Sequence, residues 1–306
     1  MMRRLLVLLS LLVLAAVQPA HSAPLKLGVL PAADTIVLHV AADEGLFEVE
    51  LVPFQSALEL GAAMRAGALS GHFGDIINVL MQNESGSPQA IVATTSHSSP
   101  DNRCFGLVVS PKSKAQTLAD LKGKDIAVSS ATIIDFLLAQ LLQQEGAAPD
   151  FLNRQDIRQI PVRLQMLLSG QIESALLPEP LVSLVEAKGA RTILNDCKLN
   201  TPLAVIALKR DVLDAPDGAQ TVAKFREALR EAAKRINETP DAYRPIMEAK
   251  GLLPKGASAN YTMVRFDMTH TPTGLPSEAD IKTFADWMKA NRILKKDPAY
   301  GDVVFQ

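Results

Sequence analysis

One stretch of the chain, residues 122–146, restricts the fold more than any other. Its apolar run 126–128 follows a charged turn and is typical of a buried strand. Ser129, Ser130 and Thr132 come next, and apolar residues then recur at helical spacing up to a terminal glycine. A hydroxyl-rich loop at a helix start exposes backbone N–H groups that suit a polar or anionic ligand, although hydroxyls that only cap the helix give the same pattern.

The first 23 residues have the three regions of a secretory signal peptide. Arg3 and Arg4 precede an apolar run at 5–17, and small residues lie around Ala23. A transmembrane anchor would need about 20 apolar residues, more than this run supplies. Because no cysteine lies near the cleavage region, we expect a soluble periplasmic protein that loses residues 1–23 and carries no lipid anchor.

Charge and cysteine content narrow the classes of protein that fit. The formal net charge is -2, and 21% of residues are charged, which gives no sign of a nucleic-acid-binding surface. Cys104 and Cys197 lie in a chain expected in an oxidising compartment, so they form either a disulfide or two separate buried thiols. The histidines are scattered, and no Cys/His spacing resembles a metal site, so we expect no metal and no cofactor.

Predicted strands and helices alternate along most of the chain. Apolar runs typical of strands occur at 25–30, 49–54, 89–95 and 126–128, with helical segments between them. Regular alternation of this kind is typical of sheets whose strands are joined by helical crossovers. It therefore predicts an α/β fold with mainly parallel sheets flanked by helices.

The second half of the chain repeats the plan of the first. Residues 126–146 match residues 25–45 as strand, polar loop and helix, and both helices end in Glu-Gly. Two more apolar strands, 104–110 and 202–208, lie where the halves join; running side by side as crossovers, they would hinge two lobes across a cleft. The expected divisions are the first part of lobe 1 (24–106), lobe 2 (107–204), and the completion of lobe 1 with the C-terminal helices (205–306).

Three segments resemble a known family. Ala119–Val128, Gly170–Pro180 and Ala42–Phe47 together resemble the periplasmic substrate-binding proteins of the nitrate/sulfonate/taurine/thiamine-pyrimidine class of ABC importers. The resemblance extends over almost all of residues 24–306. It implies a two-lobed, type II-like binding-protein fold with two crossovers, a small molecule held between the lobes, and delivery to an ABC permease in the inner membrane.

Departures from the family pattern bear on the ligand. The family commonly has an aspartate after Gly-x-Ile in each lobe, whereas this chain has Ser70 and Glu173. No arginine lies in the predicted cleft loops, while the acidic residues Asp34, Asp75 and Glu179 lie in or near them. Acidic side chains favour a ligand with N–H donors or positive charge, such as a nitrogen heterocycle, over a sulfonate or nitrate.

Loops at the carboxyl ends of strands are the expected ligand-binding positions in parallel α/β sheets. Several candidates also have a structural explanation: Asp34 and Asp75 as helix N-caps, Phe54 as a core aromatic, and Glu179, between two prolines, as an acid at a helix start. The predicted ligand-binding residues are Asp34, Thr35, Phe54, Ser56, Gly74, Asp75, Ser129, Ser130, Thr132 and Glu179.

The leading prediction is a protein without catalytic residues. It would be the monomeric substrate-binding component of an ABC importer, closing on a nitrogen heterocycle or a sulfonate-like molecule. Two alternatives stay open. One is an enzyme of the pyrimidine-precursor or menaquinone-pathway type on the same scaffold, although no triad, activated cysteine or metal cluster is legible. The other is a sensor that presents its ligand to a membrane receptor.

Overall fold

The structure is a computed structural model that describes residues 24–100, 102–254, 257 and 261–306. The predicted signal peptide, residues 1–23, lies outside the described residues. Two five-stranded sheets, each flanked by helices, make up the two lobes. None of the described helices is both long and apolar enough to cross a membrane.

The sheet of lobe 1 combines strands from both halves of the sequence. Its strands are β1 (Leu25–Val29), β2 (Val49–Pro53), β3 (Gly71–Gly74), β4 (Gln89–His97) and β10 (Pro202–Lys209). Their order across the sheet is β2-β1-β3-β10-β4. Because β10 runs antiparallel to both of its neighbours, the other four strands point the same way and end at one edge.

The sheet of lobe 2 has the same plan. Its strands are β5 (Phe105–Val109), β6 (Asp125–Val128), β7 (Asn153–Asp156), β8 (Ser174–Pro178) and β9 (Arg191–Asn195). Their order is β7-β6-β8-β5-β9, and β5 is the reversed strand. The prediction of two similar α/β lobes with mainly parallel sheets is therefore confirmed.

The chain passes between the lobes twice, from β4 to β5 and from β9 to β10. The two connections are joined to each other, because the Ser98 N–H donates to the Thr201 carbonyl (3.0 Å) and the Thr201 N–H donates to the Ser98 hydroxyl (2.8 Å). The apolar strands expected to run side by side instead lie in different sheets, as the reversed strands β5 and β10. The linking segments next to them connect the two lobes.

Helix starts beside the cleft are fixed by capping side chains. Ser56, Asp75 and Thr132 each accept a hydrogen bond from a backbone N–H in the first turn of the helix that follows. The helices are α1 (Ile36–Asp43), α2 (Ala57–Arg65), α3 (Ile76–Glu84), α4 (Ile133–Gln144), α5 (Ile160–Ser169), α6 (Leu181–Glu186), α7 (Arg210–Leu213), α8 (Gly218–Glu238), α9 (Arg244–Ala249), α10 (Glu278–Ala290) and α11 (Tyr300–Val303).

Helix α10 packs against both lobes. It contacts α3 of lobe 1, while Phe284 stacks on Phe136 of α4 in lobe 2 with ring centroids 4.2 Å apart. Trp287 meets the same ring edge-on at 5.6 Å. Phe136 and Phe284 are at most 1% exposed, so this aromatic contact holds α4 with its N-terminus directed at the space between the sheets.

Candidate functional site

A cavity lies between the lobes, at the edge where the parallel strands of both sheets end. Residues that follow β1, β2 and β3 form the wall of lobe 1, and residues that follow β6, β7 and β8 form the wall of lobe 2. Its volume is about 130 Å³, close to the roughly 150 Å³ of an engineered apolar cavity that binds benzene. The lining is mostly apolar, with polar side chains on both walls.

Most of the predicted ligand-binding residues line this cavity, and three do not. Thr35 is buried and donates its hydroxyl proton to the Ala32 carbonyl (2.7 Å). Phe54 packs on the small apolar cluster under α2, in line with its structural explanation, and the Ser130 N–H donates to Asp156 (2.9 Å). The lining candidates are Asp34, Ser56, Gly74, Asp75, Ser129, Thr132 and Glu179.

At the start of α4, the backbone N–H groups that the sequence predicted for a ligand are partly used by the protein. The Thr132 hydroxyl accepts from the Ile134 N–H (3.2 Å), and the Ile133 N–H donates to Asp75 Oδ2 of lobe 1 (3.0 Å). Asp75 also caps α3, since its Oδ1 accepts from the backbone and side-chain N–H groups of Asn78 (2.8 and 2.9 Å). Asp75 therefore links the two lobes.

Asp34 lies just before α1, and among the described residues one side chain, Thr95, hydrogen-bonds to its carboxyl. The Thr95 hydroxyl donates to its Oδ2 at 2.6 Å, and only 8% of the residue is exposed. Burial raises the pKa of the Asp34 carboxyl from 3.8 to about 6, against the effect of this hydrogen bond. The Tyr261 phenol and the Cys104 thiol interact with it, and burial raises the pKa of each, so both are uncharged near neutral pH.

Both carboxylate oxygens of Glu179 accept hydrogen bonds within the protein, and Glu179 shares Arg103 with Glu186. Arg103 donates from Nε to Oε1 of Glu179 (2.8 Å) and binds Glu186 through both Nη atoms (3.0 and 2.9 Å). The other carboxylate oxygen of Glu179 accepts from the N–H (3.2 Å) and the hydroxyl (2.9 Å) of Ser183 in α6. Glu179 is therefore an acid at the start of α6, as its structural explanation proposed.

Arg163 on α5 is a lining residue that the sequence predictions missed. It is 0% exposed; its Nη2 donates to the Ser129 hydroxyl (3.3 Å) and its Nη1 to the Leu176 carbonyl (3.4 Å), while its Nε has no acceptor among the described residues. The acid that acts on it, Asp156, is paired with Arg158 at 2.8 Å. Burial lowers the pKa of Arg163 to about 10, so it remains charged at neutral pH.

A pattern within α5 could have pointed to Arg163. Ile160, Leu164 and Leu167 follow the helical spacing of a single apolar face, and Arg163 lies on that face, three positions after Ile160 and four before Leu167. A cation therefore interrupts an apolar stripe. Arginine is almost never fully buried without a partner. It was missed because β7, the strand leading into α5, reads Asn-Arg-Gln-Asp, and without an apolar residue neither that strand nor a cleft loop after it was predicted.

Cys104 and Cys197 are both thiols in this structure, so the disulfide that the sequence left as one alternative is not formed here. Cys104 lines the cavity, where the Ser96 hydroxyl (3.4 Å) and the Asn102 amide (3.5 Å) donate to its sulfur. Burial is the main cause that holds its pKa well above the ordinary value. Since the thiolate is the nucleophile, this thiol is poorly suited to covalent chemistry.

A family model spans both lobes of this fold. The family described as "NMT1/THI5 like" matches residues 42–243, about two thirds of the chain. The chain belongs to this family. No curated protein matches the chain.

Solved structures share the fold of this NMT1/THI5-like chain. The alkanesulfonate-binding protein SsuA from Xanthomonas axonopodis pv. citri, bound to MOPS, superposes with a TM-score of 0.76 at 21% identity, covering 94% of this chain and 99% of that one. The periplasmic aliphatic sulphonate binding protein SsuA from Escherichia coli gives 0.73 at 16%, covering 92% of each chain. A mutant of DszB in complex with biphenyl-2-sulfinic acid gives 0.65 at 14%, covering 91% and 96%. These likenesses confirm the predicted two-lobed fold.

Buried ionisable groups give this NMT1/THI5-like protein opposing dependences of stability on pH. Because the pKa of Asp34 rises from 3.8 to about 6 on folding, the folded state binds more protons than the unfolded chain in that window, and its stability falls as pH rises through it. Burial lowers the pKa of His72 from 6.5 to about 4. The folded state there binds fewer protons than the unfolded chain, so stability falls as pH drops from 6.5 to 4.

Replacing Asp34 with asparagine should expose the contribution of this carboxyl. We expect Asp34→Asn to raise the free energy of unfolding by about 2 kcal/mol at pH 7.5, because a buried carboxylate is replaced by a neutral isostere, and the gain should vanish near pH 4. Urea unfolding followed by far-UV circular dichroism across this pH range measures it. A variant less stable than the wild type at pH 7.5 would show that the ionised carboxylate stabilises the fold.

Proposed function

We propose that this chain is the substrate-binding component of an ABC importer, working in the periplasm after removal of residues 1–23. It captures a small molecule with an acid group between its lobes and delivers it to a membrane permease. The NMT1/THI5-like family, the fold shared with SsuA proteins and the cavity between the lobes support this proposal.

The main evidence that the ligand carries an acid group is the buried arginine Arg163. Arg163 is a buried cation, and the acid that acts on it among the described residues, Asp156, is itself paired with Arg158, so an anion entering the cavity would compensate for its charge. In an environment of low dielectric, the uncompensated charge raises the electrostatic potential of the cavity beyond the atoms that the guanidinium touches. The Ser129 hydroxyl, which accepts from Arg163, extends this polar wall toward the ligand space.

The acidic residues that favoured a nitrogen heterocycle mostly have hydrogen-bond partners within the protein. Glu179 is paired with Arg103, and Asp75 accepts three N–H hydrogen bonds. Because the oxygens of these two carboxylates already accept hydrogen bonds within the protein, the cavity favours a sulfonate-like or carboxylate-bearing ligand over a purely cationic one.

Ligand capture would work as a shift between open and closed arrangements of the lobes. A molecule between the walls contacts both lobes only when the cleft is closed, so it binds the closed arrangement more tightly and increases its population. The paired connections at Ser98 and Thr201 provide the place where the lobes can rotate. The closed protein is then the form that the permease would recognise.

Neither of the other two functions is favoured by a specific observation. For an enzyme, the cavity supplies a thiol, Cys104, whose pKa is raised and whose partners are a hydroxyl and an amide rather than a base. For a ligand-presenting sensor, the described residues provide no feature that separates it from a transporter component.

A thermal-unfolding panel tests the proposal. The purified protein is first denatured, dialysed to remove bound molecules, and refolded. It is then heated in the presence of small sulfonates and carboxylates, and separately with their uncharged amides. Ligand at about 100 times its Kd stabilises the folded state by about 2.7 kcal/mol, so at least one acid should raise the melting temperature while its amide does not. If no acid has an effect, or if amides act equally, the proposal is wrong.

A further inference from the structure

The two cysteines occupy matching positions on two neighbouring strands of lobe 2. Strands β5 and β9 run antiparallel, with Gly106 opposite Asn195 at the end of β9. The same register, continued by two positions on each strand, sets Cys104 opposite Cys197. Opposite residues of an antiparallel pair have Cα atoms about 4.5–5.5 Å apart, which is within the range of about 4.4–6.8 Å that a disulfide spans.

Asp196 holds the two chain segments together beyond the end of the strands. Its backbone N–H donates to the Phe105 carbonyl at 3.3 Å, and its Oδ1 accepts from the backbone N–H groups of Cys104 and Phe105 at 3.0 Å each. The residue is 0% exposed. Burial is the main cause that raises the pKa of the Cys104 thiol, and Cys197 contributes to it, so the two sulfurs are near enough to interact.

The cysteines also lie on the two connections between the lobes. Cys104 is the last residue of the connection from β4 to β5, and Cys197 is the second residue of the connection from β9 to β10. Both are therefore at the lobe 2 ends of these connections. Near lobe 1, the connections are joined by the two hydrogen bonds between Ser98 and Thr201. A bond between the cysteines would join them at the other end as well.

We propose that Cys104 and Cys197 are a redox modification site: a disulfide-bearing oxidant converts them into an intramolecular disulfide, which restricts rotation of the lobes about their two connections. Export of the chain, which is part of the proposed function, would supply the oxidising environment. The inference does not depend on which ligand the cavity binds.

Formation of this bond is an exchange between thiols and a disulfide. The Cys197 thiolate, in the turn after β9, attacks one sulfur of the oxidant and releases the first thiol of that oxidant. The Cys104 thiolate then attacks the Cys197 sulfur and releases the second thiol, so the protein loses two protons and two electrons and the oxidant gains them. Because the pKa of Cys104 is raised by burial, this thiol is slow as the first attacking group and poor as a leaving group, so the bond forms slowly and resists reduction.

Thiol labelling followed by intact-mass measurement tests whether the bond forms. The purified protein is treated with oxidised glutathione, denatured, and alkylated with N-ethylmaleimide. We expect most chains to take up no label and to be two hydrogen atoms lighter than the reduced protein, and a proteolytic digest should contain the Cys104 peptide joined to the Cys197 peptide. Protein treated with reduced glutathione should take up two labels. If oxidised chains still take up two labels, or carry glutathione on Cys197 beside an unreacted Cys104, the inference is overturned.

Thermal unfolding and hydrogen exchange test the effect of the bond on the connections. Because the bond closes a long loop, we expect the oxidised protein to melt about 5 °C or more above the reduced protein. Amide exchange in peptides containing Ser98 or Thr201 should slow about tenfold or more, since local opening of the connections is restricted. If the bond forms and neither quantity changes, the bond does not restrain the lobes, and the inference is overturned in that respect.

Cys197→Ser is the matched control, because residue 197 does not line the cavity. This variant should melt at the temperature of the reduced wild type, and oxidised glutathione should change neither its melting temperature nor its exchange. If oxidation raises its melting temperature as much as that of the wild type, the stabilisation does not come from this bond, and the inference is overturned. No ligand is present in these measurements, so a failure of the acid panel would contradict the proposed function and leave this inference standing.

Discussion

Replacing Arg163 with methionine should weaken the binding of small acids about 100-fold or more without destabilising the protein. The guanidinium supplies the buried positive charge of the cavity, and charge-assisted interactions of this kind contribute about 1.5–3 kcal/mol each. Methionine fills a similar length with an apolar chain, and replacing a buried ion by an apolar side chain is often neutral or stabilising. Titration calorimetry with the best acid of the panel, together with urea unfolding, measures both effects.

Two further variants make the result decisive. Arg163→Lys keeps the charge but not the planar fork of donors, so its affinity should lie between those of the wild type and the methionine variant. Arg230→Met removes an exposed arginine that pairs with Glu227 on α8 and should leave affinity unchanged. If Arg163→Met instead lost more than about 2 kcal/mol of stability and its folded fraction bound acids normally, the arginine would be a structural residue.

The lobe plan could be predicted because it depends on local patterns. The apolar runs of β1 and β6 are buried within their sheets, and such runs bounded by glycine and polar loops carry a strong signal. The edge strand β7 has no such apolar pattern, because it has no partner strand on one side and its residues are polar. The loss of that strand also hid the loop and helix that follow it, and Arg163 with them.

The ligand-binding side chains were harder to predict, because their roles depend on partners distant in sequence. Asp75 was expected to cap a helix and, without excluding that role, to bind a ligand; it caps α3, and its other oxygen accepts from Ile133, 58 positions away. The engagement of Glu179 depends on Arg103, 76 positions away. A sequence shows which carboxylates lie near strand ends, whereas only the packed lobes show which of them already have a cation or an N–H donor.

Removing the Asp75 carboxylate should destabilise the protein by about 2–4 kcal/mol. Asp75→Ala takes away the cap of α3, which contributes about 0.5–2 kcal/mol, and leaves the buried Ile133 N–H without an acceptor, which costs about 1–3 kcal/mol more. The same change breaks a direct hydrogen bond between the lobes. Urea unfolding measures the loss of stability, and the radius of gyration from small-angle X-ray scattering measures the loosening of the two lobes.

Asparagine at position 75 separates the two roles, because it caps a helix as well as aspartate does. With its carbonyl oxygen used for the cap of α3, its amide nitrogen would face the Ile133 N–H, donor against donor, so Asp75→Asn should lose the link between the lobes and keep the cap. Ser277→Ala removes a cap at α10 without touching the cleft and is the matched control. We expect only the two Asp75 variants to increase the radius of gyration. If Asp75→Asn matches the wild type in stability and in size, the lobes are held together by their apolar contacts and by α10 instead.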